Sequence, residues 1–212
     1  MESIQDVLAT AGTIPSAKFG SSTDSFEIET DGSTMRNGDA TMWDDVTGSL
    51  VARRLESTVG RLNYNYTENS ITMQDDGNPD STADNLIFNF QKPHGAKVAS
   101  TFNLHIHWEQ VEDGAVEFTL QYRIQSSGGA KTTAWTTVVV DTSVNNVFAY
   151  TSGTLNQITQ LADIDWSTSG ISATCQFKLS RTDDIGLDDI EATFIDGHVE
   201  FDNIGSRQEY IK

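Results

Sequence analysis

Between Thr101 and Trp108 the chain reads Thr-Phe-Asn-Leu-His-Ile-His-Trp, with an apolar side chain at every second position. A side-chain period of two belongs to a strand with one dry face and one wet face. Phe102, Leu104, Ile106 and Trp108 therefore need a second layer to cover them. The rhythm recurs downstream. Phe118, Leu120, Tyr122 and Ile124 alternate with Glu117, Thr119, Gln121 and Arg123, and Ile171, Ala173, Cys175, Phe177 and Leu179 share one phase. Residues 62–66, 86–90, 135–140 and 190–201 read as further strands, and 155–164 fits either a strand or a short helix. Turn chemistry separates the runs at Glu112-Asp-Gly, Ser127-Gly-Gly, Thr168-Ser-Gly and Asp183-Asp-Ile-Gly. At least seven strands and no long helix predict an all-β fold, an antiparallel β-sandwich of jelly-roll-like form.

Residues 1–48 have a different texture. Ile4, Val7 and Leu8 suit one amphipathic turn, Phe26-Glu-Ile-Glu-Thr suits a short strand, and the rest is rich in Gly, Ser, Thr and Asp. The expected division is an extended N-terminal arm over 1–48 and a sandwich domain over 49–212. The alternative is that 1–48 are ordinary loops packed on the domain.

Charge limits the partners. The chain has 212 residues, 31 of them acidic against 13 Lys and Arg, for a net charge of −18. Such a surface repels phosphate backbones and anionic membranes, so neither nucleic acid nor a membrane is expected as a partner. It suits a solvated acidic surface, a bound cation or a basic docking surface. No run approaches the roughly 20 apolar residues of a membrane helix. Residues 1–20 lack a basic start and an apolar run, so the expectation is a protein made in a host cytoplasm without a signal peptide. The one cysteine, Cys175, excludes an internal disulfide and falls in core phase.

The sharpest chemical feature is His105-Ile-His107, two imidazoles on the strand face opposite Phe102 and Leu104. His198 on a late strand and Glu112 complete a candidate metal-ligand set. This pattern resembles the first motif of the cupins, an HxH with a later Glu, although the flanking glycines and the second cupin motif are missing. The competing reading places His105 and His107 on a polar sheet face or at a subunit contact. His94, in the turn Lys92-Pro-His-Gly, reads as structural. Asp183-Asp-Ile-Gly-Leu-Asp-Asp has oxygen ligands for Ca²⁺ but not the spacing of an EF-hand. Tyr64, Tyr66, Trp135, Tyr150 and Trp166 are candidates for stacking on sugars; the competing reading makes most of them core or interface residues. Nucleophile-elbow, P-loop, HExxH and CxxC signatures are absent from the sequence.

Three segments carry a resemblance: Met42-Trp-Asp-Asp-Val, Phe90-Gln-Lys-Pro-His-Gly with Leu104-His-Ile-His-Trp, and the final Gly205-Ser-Arg-Gln-Glu-Tyr-Ile-Lys. In this order they resemble a group of structural proteins of tailed bacteriophages. The resemblance implies a non-enzymatic virion protein without cofactors, foremost a capsid decoration or cement protein docking on the major capsid protein. It further implies that Trp43, Asp44, His94, His105, His107, Trp108, Arg207 and Tyr210 serve the fold or an interface. The expected partners are further copies of the chain, as dimer or trimer, and capsid or tail proteins. The alternatives are a tail adaptor, a fibre or receptor-binding module, and a cupin-like metalloenzyme.

Overall fold

In the computed structural model, the described residues are 16–29, 34–48, 50–53, 62–73, 85–110, 114–144, 151, 156–170, 172–181 and 189–202. Among them are fourteen strands and a single 3-10 turn at Gly38–Ala40. The strands are β1 (Ala17–Gly20), β2 (Ser25–Ile28), β3 (Thr34–Asn37), β4 (Met42–Gly48), β5 (Val51–Arg53), β6 (Leu62–Asn65) and β7 (Ser70–Met73). They continue with β8 (Asn85–Gln91), β9 (Thr101–Gln110), β10 (Glu117–Gln125), β11 (Thr136–Asp141), β12 (Asn156–Asp165), β13 (Thr174–Arg181) and β14 (Ile190–Phe201). Of the ambiguous stretch 155–164, residues 156–164 lie in strand β12.

The pairing of β7 to β14 defines the topology. β7 pairs with β14, β8 with β13, β9 with β12 and β10 with β11, all antiparallel. That is one long ribbon folded back on itself. Rolling it up brings β9 against β14 and β10 against β13. The outcome is a five-stranded sheet, β11-β10-β13-β8-β5, and a six-stranded sheet, β12-β9-β14-β7-β6 with β4 also on β14. Two sheets wound in this way form an antiparallel jelly-roll β-sandwich.

The facing sides make the core. Phe102, Leu104, Ile106 and Trp108 of β9 are buried, as are Phe118 and Leu120 of β10 and Cys175, Phe177 and Leu179 of β13. Phe88 stacks on Phe177 with centroids 4.8 Å apart, and Phe102 stacks on Trp166 at 4.8 Å. Each such ring contributes roughly 1.5–3 kcal/mol through removal from water. Cys175 lies within this layer, and burial pushes its thiol pKa up to about 12. Trp108 is a core residue whose indole Nε1 donates to Thr159 Oγ1 at 3.0 Å.

The segment of the phage resemblance around Lys92 is a staple. Lys92 is fully buried, and its ammonium donates to the carbonyls of Val98, Trp166 and Ser169 at 3.2, 3.1 and 3.2 Å. His94 Nε2 lies 2.7 Å from Ser172 Oγ. Both residues tie the loop after β8 to the segment after β12.

The N-terminal region is built differently from a simple arm. β1, β2 and β3 form their own three-stranded sheet. β4 instead pairs with β14 from Gly48↔Ile195 to Met42↔Phe201, so residues 42–48 belong to the sandwich. The chain then crosses to β5, which pairs with β8 in the other sheet. The expected turn at Ile4, Val7 and Leu8 lies outside the described residues.

Candidate functional site

The outer face of the six-stranded sheet concentrates the chain's imidazoles. Alternation along β9 sends His105 and His107 outward because Leu104, Ile106 and Trp108 are taken up by the core. On β14, Ile195 and Val199 point inward, so Phe194, Asp196, His198 and Glu200 point outward. Gly197 between them crosses directly over Phe102, where a Cβ would lie 2.1 Å from the ring. The register sets Asp196 opposite His105 and His198 opposite Asn103, while β4 sets Asp45 opposite His198.

The side chains converge accordingly. Asp196 Oδ1 lies 3.3 Å from His107 Nε2 and 4.0 Å from His105 Nδ1, and Asp196 Oδ2 lies 4.0 Å from His198 Nε2. His198 Nε2 also lies 3.0 Å from Asp45 Oδ1. The rings of His105 and His198 meet edge to face at 4.4 Å. His105 is 3% exposed and Asp196 5%, whereas His107, His198 and Asp45 reach solvent. The His107 contact is close but poorly aligned, and the buried Oδ1 of Asp196 accepts no hydrogen bond. Burial, followed by the neighbouring His198, holds the His105 pKa below the usual histidine value.

Of the candidate ligands, the structure unites His105 and His198 with Asp196, whose ligand atoms all lie within 4.8 Å of one another. His107 stands beside them on Asp196. Glu112 lies outside the described residues, as do Arg207, Tyr210 and the acidic stretch from Asp183 to Asp188. The sequence reading missed Asp196, although Asp196-Gly-His198 places both side chains on one strand face.

The other surface candidates separate clearly. Trp43 is 58% exposed on the same face as Asp45, and Asp44 is exposed, its Oδ1 accepting from the Asp45 amide at 2.9 Å. Ile158 (39% exposed) and Phe194 (41%) flank His107 across the sheet. Of the aromatics open to either reading, Trp166 is a core residue: it is fully buried, because the turn after β12 folds it between Phe102 and Lys92. Trp135 packs against the guanidinium of Arg123 at 4.5 Å and the ammonium of Lys178 at 4.2 Å, so its ring is held by the chain's own cations. Tyr64 and Tyr66 meet edge to face at 78°. Tyr150 lies outside the described residues.

No protein-family model matches the chain, and no curated protein does. Among solved structures it is similar to a xylan-binding module CBM15, with TM-score 0.37 and 12% identity over 75% of this chain and 97% of that one. It is also similar to TmCBM61 in complex with β-1,4-galactotriose, with TM-score 0.26 and 13% identity over 76% of this chain and 88% of that one. Likenesses of this size assign no ligand, and the chemistry of the face rests on the chain's own residues.

Proposed function

We propose that the chain is a non-enzymatic assembly protein of a tailed-phage virion, a decoration protein that docks on the capsid shell and stabilises it. The observation that carries this reading is the exposure of Trp43, Ile158 and Phe194 on one outer sheet face of a chain with net charge −18. Ile158 and Phe194 stand on either side of His107, with Trp43 further along the same face, and a grouping of exposed apolar side chains is a mark of interaction sites. Aromatic residues are enriched in interface cores. Trp43 also falls in the first segment of the phage resemblance.

The small sheet of β1 to β3 supports the same reading. Its β3 is tied to the sandwich by the Arg36 amide donating to the Asp202 carbonyl, and the link that follows it by Thr41 Oγ1 donating to Glu200 Oε1 at 2.6 Å. Phe19, 47% exposed, packs against Phe26 at its surface. A sandwich with an appended sheet extends contact over a neighbour, and specific interfaces bury on the order of 1,600 Å² in total. The negative surface complements a basic shell exterior and would steer the approach.

Light scattering on the purified chain, alone and with emptied phage shells, tests the proposal. The expected result is a discrete dimer or trimer that binds shells, with binding lost in Trp43→Ala and after deletion of residues 1–41. A chain that binds tails but not shells moves the site to the tail, and a monomer that binds neither overturns the reading.

A further inference from the structure

We propose that His105, Asp196 and His198 form a binding site for a divalent transition-metal ion of the Zn²⁺ class, set between β9 and β14 on the outer face of the six-stranded sheet.

The donors have the right chemistry. Two imidazoles and one carboxylate are the nitrogen and oxygen ligands that Zn²⁺ accepts. Ca²⁺ and Mg²⁺ require six or more oxygens and fit poorly. The donors also come from two neighbouring strands, so an ion here would link residues far apart in sequence.

The geometry is close to a ligand cage. Taking one ligand atom from each residue, the three lie within 4.8 Å of one another; the two carboxylate oxygens of Asp196 face different rings, Oδ1 at 4.0 Å from His105 Nδ1 and Oδ2 at 4.0 Å from His198 Nε2. A tetrahedral ion with bonds of about 2.1 Å needs its ligands about 3.4 Å apart. Binding an ion therefore requires the ligand atoms to draw together from their present spacing. On the solvent side, the exposed carboxylate of Asp45 lies 3.0 Å from His198 Nε2.

The decisive feature is Asp196. A carboxylate that is 5% exposed with a buried oxygen accepting no hydrogen bond is costly unless something cationic completes it. His107 Nε2 approaches that oxygen to 3.3 Å without a hydrogen bond to it. The site is independent of the docking proposal: a shell-binding protein without metal and a metal-binding protein that ignores shells are both distinguishable outcomes.

The test is calorimetric titration of chelator-treated full chain with Zn²⁺ alone, in salt high enough to screen the acidic surface. One equivalent is expected to bind. Binding is expected to vanish in Asp196→Asn, to weaken at least tenfold in His198→Ala, and to persist in Asp165→Asn, which removes an outer-face charge away from the cluster. Circular dichroism checks folding. His198 is partly exposed, so His198→Ala keeps the test decisive if Asp196→Asn fails to fold. Co²⁺ in place of Zn²⁺ is expected to give the visible absorption of a four-coordinate site. Absence of binding, retention in His198→Ala, or equal loss in Asp165→Asn overturns the proposal.

Discussion

Gly197 passes so close over the ring of Phe102 that an added Cβ would sit 2.1 Å from two of its carbons. The backbone there is not left-handed, so space and not conformational freedom demands glycine. Gly197→Ala is expected to cost about 1–3 kcal/mol through overpacking. Phe102→Leu in the same chain should recover part of the loss. Thermal denaturation of the single and double variants reads both, and an unaltered Tm in Gly197→Ala would refute the contact.

Lys92 gives a second prediction. Lys92→Met keeps most of the stem but removes the donor shared by three carbonyls. Hydrogen bonds to a charged group contribute about 1.5–3 kcal/mol, and a loss of that size is expected in urea unfolding. A variant as stable as the parent would mean that the buried ammonium is dispensable.

Cys175 should be chemically silent. It is fully buried, and burial pushes its thiol pKa up to about 12, far from the thiolate that reacts. A colorimetric thiol reagent at pH 8 is expected to label nothing in the native chain and one thiol in denaturant. Rapid stoichiometric labelling of native protein would contradict the core assignment.

Glu200 links acidity to stability. Its burial raises the pKa, but the Lys97 and Thr41 hydrogen bonds and the Lys97 charge together outweigh burial and hold it below the ordinary value of 4.5. A carboxylate with a depressed folded-state pKa stabilises fully above the unfolded-state value and loses that contribution as pH falls through the folded-state value. The stability gap between the parent and Glu200→Gln is therefore expected to be constant above the unfolded-state value and to shrink as pH falls from there through the folded-state value. Urea melts across that range check the sign, and a gap that widens on acidification would exclude it.

The body of the fold was legible wherever one face of a strand was dry. β9, β10 and β13 alternate because each packs one side on the opposite sheet, and their inward residues are those the period selects. β1 and β3, Ala-Lys-Phe-Gly and Thr-Met-Arg-Asn, carry no such rhythm, since their sheet has little core to bury. β4 escaped notice for a related reason: Met42 and Asp44 occupy its inward phase yet remain exposed, and only Val46 and Gly48 reach the core. The histidines were visible as a same-face pair on β9. Asp196 was not, because its place depends on which strand pairs with β9, and cross-strand register leaves no mark in a single segment. Trp166 follows a strand as a lone aromatic, and its burial comes from a turn anchored by Lys92.

The pairing of Met42 with Phe201 has a mechanical consequence. It brings β4 and β14 together at the ends from which residues before 42 and after 201 depart. Pulled apart from those two points, the strands unzip one cross-strand pair at a time. Drawn instead from Met42 against Ile190, they slide, and the pairs resist together. Optical-trap measurements in the two geometries are expected to give a low and a high rupture force. Such a molecule would yield readily to tension between its two chain exits and hold against tension along its length.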